Sequence, residues 1–239
     1  MTRPAEPAEP AEPAEPAEPP ELIRRFTVAE RWIHRATAAL MGTALLTAAF
    51  LYLPALAELV GRRSLLVTVH EWAGVTMPVP LLAGLVSRAF RADLVRINRF
   101  GPHDRGWIRA TVRRRPHPAG KFNAGQKLYA AVISGAALVM IGTGLIMWFP
   151  RLTALFLRTG ATFVHDWLAL LIGALVGGHI WMASKDPEAR TGLRTGLVPR
   201  SWAKRHHPLW EGEQPGEHQP TPAAQSVRTA AEKDVGPLD

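Results

Sequence analysis

Four long apolar runs, separated by polar stretches of unequal length, organise this chain. They lie at about Glu30–Leu53, Leu65–Phe90, Ala124–Phe149 and Thr162–Ser184. Each holds enough residues for an α-helix to cross roughly 30 Å of hydrocarbon. The pattern predicts an all-α fold, an integral membrane four-helix bundle. Pro78 and Pro80 fall inside the second run, so a kink or local unwinding is expected near its middle. The first and third connections are short, and the second is a basic loop of more than thirty residues.

The two ends of the chain read differently. Five tandem Ala-Glu-Pro units run from Ala5 to Pro19. Proline at every third position, without apolar periodicity, predicts an extended or disordered head. It lacks the basic start and apolar core of a signal peptide. The stretch from Glu211 to Asp239 is also polar. The expected organisation is a disordered tail over 1–23, a four-span domain over 24–210 and a second disordered tail over 211–239.

Charge then orients the spans. Of 28 Lys and Arg residues, 24 lie in the head, the long connection and the C-terminal stretch. Arg62, Arg63, Arg151 and Arg158 are the four on the other side. That asymmetry predicts both termini and the long connection in the cytoplasm. Trp32, Trp72, Trp148, Trp167 and Trp181 sit near span ends, as an interfacial aromatic belt does. Because the positive charge is interrupted by apolar runs, a membrane protein is expected and no nucleic-acid partner. The chain has no cysteine, which excludes disulfides, thiolate metal sites and cysteine-ligated iron–sulfur clusters.

The candidate chemistry lies in four histidines within the apolar runs: His34, His70, His165 and His179. Ionisable groups at membrane depth are costly, and neutral imidazole is a common metal ligand. Paired axial histidines would hold a haem. His165 and His179 lie roughly 21 Å apart along one helix and on nearly the same face. One helix thus offers a ligand near each side of a bilayer, which calls for two stacked centres. Depth pairs His34 with His179 on the inner side and His70 with His165 on the outer side. The other reading makes these interfacial residues tolerated near the headgroups. Gly42, Gly74, Gly142, Gly144, Gly173, Gly177 and Gly178 would let a flat macrocycle approach the backbone, or let helices pack closely. Val69-His70-Glu71-Trp72 and Val164-His165-Asp166-Trp167 echo one another, and Glu71 and Asp166 read as polar interface residues. His103 and His117 read as exposed loop residues. His206 and His207 read as surface residues, with metal binding or a partner contact as the alternative.

Two further stretches carry a resemblance. Lys121-Phe-Asn-Ala-Gly-Gln-Lys127, before the third span, and Arg200-Ser-Trp-Ala-Lys-Arg-His-His-Pro-Leu-Trp210, after the fourth, resemble segments of the cytochrome b (gamma) subunit of respiratory formate dehydrogenase. The likeness runs over most of residues 24–210 and includes the four histidines in order. The histidine pattern alone is shared with b-type cytochromes of hydrogenases. The resemblance implies two haem b groups, on His70 with His165 and on His34 with His179. It also implies a quinone site, for menaquinone or ubiquinone, at Asn123, Gly125 and Gln126 with His179 close by. Asn123 alternatively caps the third helix.

The expected partners are an iron–sulfur subunit and, through it, a molybdenum- or tungsten-containing catalytic subunit. The chain would then act as the quinone-reducing subunit of an oxidoreductase complex in the bacterial plasma membrane, without a formate-oxidising site of its own. The alternatives are the cytochrome b anchor of a hydrogenase or other oxidoreductase, a stand-alone di-haem cytochrome, and a haem-free transporter. Transport usually calls for repeated halves and broken helices at the midplane, which only the Pro78/Pro80 region suggests. The Ala-Glu-Pro head and the HEW and HDW contexts of the outer histidines depart from the family pattern, which leaves the partner on that face open.

Overall fold

The computed structural model describes residues 20–113, 115, 117–211 and 213. The Ala-Glu-Pro repeats and the stretch beyond Glu213 lie outside the described residues. Four helical segments are long and apolar enough to cross a membrane: Val28–Tyr52, Arg63–Gly84, Ala124–Trp148 and Leu155–Ser184.

Local chemistry sets where these helices begin. Helix α1 (Val28–Tyr52) follows a short strand, β1 (Leu22–Arg24), and opens on a reciprocal cap. The Glu30 N–H donates to Thr27 Oγ1 at 3.4 Å, and the Thr27 N–H donates to Glu30 Oε2 at 2.6 Å. Two otherwise orphaned donors are satisfied together. A short helix α2 (Pro54–Val60) leads to α3 (Arg63–Val75). The second span then breaks and restarts as α4 (Pro78–Gly84). Both prolines fall in the first turn of α4, where a backbone N–H has no helical acceptor to lose. The expected local unwinding is a two-residue turn at Thr76 and Met77, both of which keep αR dihedrals.

The second span also ends sooner than its apolar run suggests. It stops at Gly84, not Phe90, because Ser87 caps a new helix, α5 (Arg88–Asn98), by accepting from the Phe90 N–H. Gly84 permits this crowding. A Cβ there would stand 2.6 Å from Ile33 Cδ1 and 2.9 Å from the Phe90 ring.

The long connection is folded. It comprises α5 and α6 (Pro102–Val112), each turning one buried carboxylate inward. Asp104 accepts from the Gly101 N–H at 2.7 Å and from Lys127 Nζ at 2.8 Å. Asp93 accepts from Lys121 Nζ and, at 3.0 Å, from Arg96. These bonds tie α5 and α6 to the start of α7 (Ala124–Trp148). Helix α8 (Leu155–Ser184) starts seven residues ahead of the expected Thr162. Its 30 residues make a rod about 45 Å long, more than one bilayer core requires.

After α8 come α9 (Pro187–Thr195), strand β2 (Leu197–Pro199), α10 (Arg200–His206) and α11 (Pro208–Glu211). Strands β1 and β2 pair antiparallel, with Leu22 opposite Pro199 and Arg24 opposite Leu197. Residues 22 and 23, assigned from sequence to a disordered tail, therefore belong to the folded body. Gly196 makes the turn into β2 at φ +92°, where a Cβ would collide with the Phe26 carbonyl oxygen. Ile23, Val198, Trp202, Ala203 and Trp210 form a compact core beneath this ribbon.

His207 belongs to that core, contrary to its expected surface placement. It is only 4% exposed. Its Nδ1–H donates to the Gly120 carbonyl at 2.7 Å, leaving Nε2 to accept from Arg25 at 3.2 Å. The Arg25 guanidinium also covers the Trp202 ring at 4.5 Å and donates to the Lys121 carbonyl. Burial, followed by the nearby Arg25 charge, pushes the His207 imidazole down to about 4. His206, its neighbour, is exposed. A histidine in a polar, non-periodic stretch gives no sequence signal of burial.

The unfolded chain takes up the extra proton between pH 6.5 and 4, so this contribution to stability is complete above pH 6.5 and falls as pH drops toward 4. Asp93, raised to about 6 by burial and by the neighbouring Glu30 carboxylate, acts with the opposite sign over an overlapping range. Comparing wild type with His207→Gln isolates the histidine. Wild type should be the more stable at pH 7, and its advantage should shrink by up to about 3 kcal/mol by pH 4. Detergent-solubilised unfolding at both pH values measures this, and a constant gap would rule the linkage out.

Candidate functional site

At the end where α1 finishes and α8 begins, two histidines face each other. His70 on α3 and His165 on α8 have ring centroids 6.1 Å apart and planes inclined at 66°. The His70 Nδ1 stands 3.1 Å from the Ala44 carbonyl and 3.0 Å from Thr47 Oγ1, both on α1. A carbonyl can only accept, so Nδ1 carries a proton, and in the neutral ring Nε2 keeps its lone pair.

His165 is held in a similar way, by Thr143 Oγ1 on α7 at 2.9 Å. The Thr143 hydroxyl donates its proton to the Val139 carbonyl at 2.8 Å, so its oxygen accepts from the ring. Two neutral imidazoles thus present free Nε2 atoms. One metal ion bonded to a nitrogen of each ring at roughly 2.0–2.1 Å would set the ring centres about 6 Å apart. The donor pair fits such a centre.

The surroundings suit an apolar, flat ligand. His70 and His165 share a half-open cleft of about 220 Å³ among α1, α3, α7 and α8, lined by side chains such as Leu45, Val67, Met140 and Ile172. Gly74 and Gly144 also line it. Nothing lies within 4 Å of a Cβ built on Gly74, and one on Gly144 would make ordinary contact with His165 Cε1 at 3.6 Å. Glu71 borders the same cleft.

The second pair lies at the opposite end of the bundle. His34 lies on α1 and His179 on α8, two helices that pack against each other. The Tyr129 ring of α7 stacks on His179, with centroids 4.8 Å apart and planes at 14°. Among the described residues, neither ring has a hydrogen-bond partner, and the buried Thr37 hydroxyl also lacks one. Open space faces Gly42, Gly177 and Gly178. His34 and His179 are both exposed.

Close to Tyr129, the residues Asn123, Gly125 and Gln126 form the first turn of α7. Asn123 Oδ1 accepts from the Gln126 N–H at 2.9 Å, and Gln126 Oε1 accepts from the Asn123 N–H at 2.9 Å. The capping role open to Asn123 is thus occupied. Among the described residues, neither side-chain NH₂ group has an acceptor, so both can donate. Gly125 lies under the Trp107 indole, whose Cη2 would be 3.2 Å from an added Cβ. Behind this turn, Lys121, Asp93 and Glu30 form a buried ionic cluster, with Lys121 Nζ 3.7 Å from Glu30 Oε1. His103 is exposed on α6, and His117 packs against Gly106.

Sequence reasoning overlooked Thr47, Thr143, Tyr129 and Trp107. A signal for the threonines was present: each lies 22 or 23 residues before its histidine, on the preceding membrane helix.

Four membrane-length helices enclosing apposed neutral imidazoles, in apolar surroundings with small residues at the contacts, define a membrane cytochrome. This chain belongs to the prokaryotic cytochrome b561 family, whose profile matches residues 25–194. It is a multi-pass membrane protein, and haem and electron transport follow from the family.

It is 32% identical over 97 residues to the nitrate-inducible formate dehydrogenase cytochrome b556(Fdn) subunit of Escherichia coli, a match covering 39% of this chain and 45% of that one. A formate dehydrogenase cytochrome b556 subunit of Haemophilus influenzae is 32% identical over 98 residues, 40% of this chain and 41% of that one. These matches span less than half the length of either relative. The cytochrome b556(fdo) subunit of Escherichia coli is 27% identical over 208 residues, covering 81% of this chain and 93% of that one.

The open faces give a test of the cleft. In haem-free protein, Gly74→Ala should stabilise α3 by about 0.5–1 kcal/mol, the helical advantage of alanine over glycine. Gly74→Leu should fill the cleft and lower retained haem. Thermal unfolding of haem-free and haem-loaded preparations, with haem content from absorbance, checks both. Full haem content in Gly74→Leu would place the macrocycle elsewhere.

Proposed function

We propose that this chain is the membrane cytochrome b subunit of a respiratory formate dehydrogenase, carrying electrons to a quinone. The apposition of His70 on α3 with His165 on α8, the helix that also carries His179, is the observation that supports this reading most. His70 and His165 hold one haem b, and His34 and His179 hold the other. When bound, these groups supply one-electron redox chemistry at two depths of the bilayer.

The asymmetry of Lys and Arg supports a topology with both termini and α5–α6 in the cytoplasm and the His70–His165 pair toward the outer face. Electrons enter on the outer side from an iron–sulfur subunit, itself served by a molybdenum- or tungsten-containing partner. The membrane is the bacterial plasma membrane. A hydrogenase anchor shares the family, but the match over 93% of the fdo subunit's length favours formate dehydrogenase.

The quinone head lies near His179 and Tyr129. The free amide protons of Asn123 and Gln126 donate to its carbonyl, and the Gly125 backbone allows close approach. Glu30, Asp93 and Lys121 lie on the cytoplasmic side, where the two protons of quinone reduction are taken up. Menaquinone and ubiquinone both present the carbonyl this donor set requires.

Replacing single histidines tests the ligand assignment. His70→Ala and His165→Ala should each remove the same haem, and His34→Ala and His179→Ala the other, leaving one haem per chain by reduced-minus-oxidised spectra. Spectra in which His34 and His70 behave as a pair would overturn the assignment.

Asn123→Asp separates capping from quinone binding. Aspartate still accepts from the Gln126 N–H and suits a helix N-terminus, but it has no amide proton to donate. Its KM for quinone should rise about tenfold, equivalent to about 1.4 kcal/mol, with both haems retained. Wild-type quinone kinetics in Asn123→Asp, alongside a defect in Asn123→Ala, would reduce Asn123 to a helix cap.

A further inference from the structure

Two threonines stand in the same relation to two histidines. Thr47 donates its hydroxyl proton to the Thr43 carbonyl at 2.7 Å, and Thr143 does the same to the Val139 carbonyl at 2.8 Å. Each hydroxyl oxygen is thereby turned into an acceptor. The Nδ1 atoms of His70 and His165 meet these oxygens at 3.0 Å and 2.9 Å, and His70 reaches the Ala44 carbonyl as well. Each threonine spends its proton on its own helix and offers a lone pair to a ring on the next. The arrangement recurs on two separate helix pairs, α1 with α3 and α7 with α8.

The other pair differs. His34 and His179 have no such acceptor among the described residues, and His179 is flanked by the face of Tyr129. Thr37 lies one turn beyond His34, yet its buried hydroxyl has no partner. The two ends of the bundle therefore treat their imidazoles in chemically different ways.

An acceptor on the remote N–H of a metal-bound imidazole fixes the ring's orientation and raises its basicity. A more basic ligand stabilises the oxidised metal, and hydrogen bonding of this kind is among the protein's means of setting a haem's potential. We propose that Thr47 and Thr143 are positioning residues that lower the reduction potential of the centre held by His70 and His165. The hydrogen bonds thereby favour electron flow away from the threonine-held end toward the tyrosine-stacked end. The inference rests on the ligand assignment made above, which the histidine variants test separately.

The measurement is a potentiometric optical titration of the full chain in membranes, resolving both haems. In Thr47→Val and Thr143→Val, the potential lost in His70→Ala should move to more positive values, and further in the double variant. The other potential should stay in place, and two haems per chain should remain. Serine at either position should restore the wild-type value. Unchanged potentials with both haems bound would overturn the proposal, as would a shift confined to the centre lost in His34→Ala.

If the valine variants lose haem, Thr→Ser and Thr→Cys form a graded series, because a thiol is the weaker acceptor. Potentials rising from threonine and serine to cysteine support the proposal, and the absence of that order overturns it. If His70→Ala leaves two haems in place, the ligand assignment itself has failed, a result distinct from any of these.

Discussion

Inside a bilayer no water is available to satisfy a polar group, so each must find its partner within the protein. That constraint accounts for much of the detail in this bundle. Thr47, Thr143, Thr159 and Thr162 return their hydroxyl protons to carbonyls of the preceding turn. Pro78 and Pro80 occur only where a helix is starting and no acceptor is forfeited. The Nδ1 protons of His70 and His165 are satisfied by those same threonines. A free Nε2 on each ring is then what remains for a metal. The geometry of the site follows from settling the hydrogen bonds of the helices around it.

The other end of the bundle solves a different problem. Here charged residues are numerous, and apart from Arg25, which is held by neutral groups, several of the buried and half-buried ones arrive in neutralising sets. Lys121 lies between Asp93 and Glu30, Lys127 pairs with Asp104, and Arg200 joins Glu21 to Glu211. Removing one member of such a set leaves a buried charge without compensation, which costs far more than losing a surface pair. These contacts hold the turn around Asn123 against α1, α5 and α6. The amide groups proposed to meet the quinone are therefore carried on a fixed platform.

The four spans were legible because length and uniform apolarity are strong signals, and the interruption at Pro78 followed from proline chemistry. Their ends were less so. The apolar run through Phe90 hides a serine cap at Ser87, and the extra turns of α8 begin in a stretch interrupted by Arg158. Residues 88–112 read as a basic loop because their charges mask two short amphipathic helices whose inward residues are Asp93 and Asp104. Placement carried by type and spacing was visible, as for the apposition of His70 with His165 and the Asn123 cap. Chemistry carried by contact was not: nothing local to His207 indicates that Arg25 and Gly120, both distant in sequence, enclose it.

The β1–β2 ribbon joins the entrance of the first membrane helix to a segment that follows the last one. Every contact of Arg25 and Ile23 with Val198, Trp202 or His207 must wait until those C-terminal residues have left the ribosome. During synthesis the first span thus sits in the membrane with its entrance unlatched, its apolar and cationic anchors still free. Assembly of this end is a closing event rather than a growing one. A nascent chain halted before Leu197 could insert all four spans and still lack the clasp that holds α1 in register with the rest.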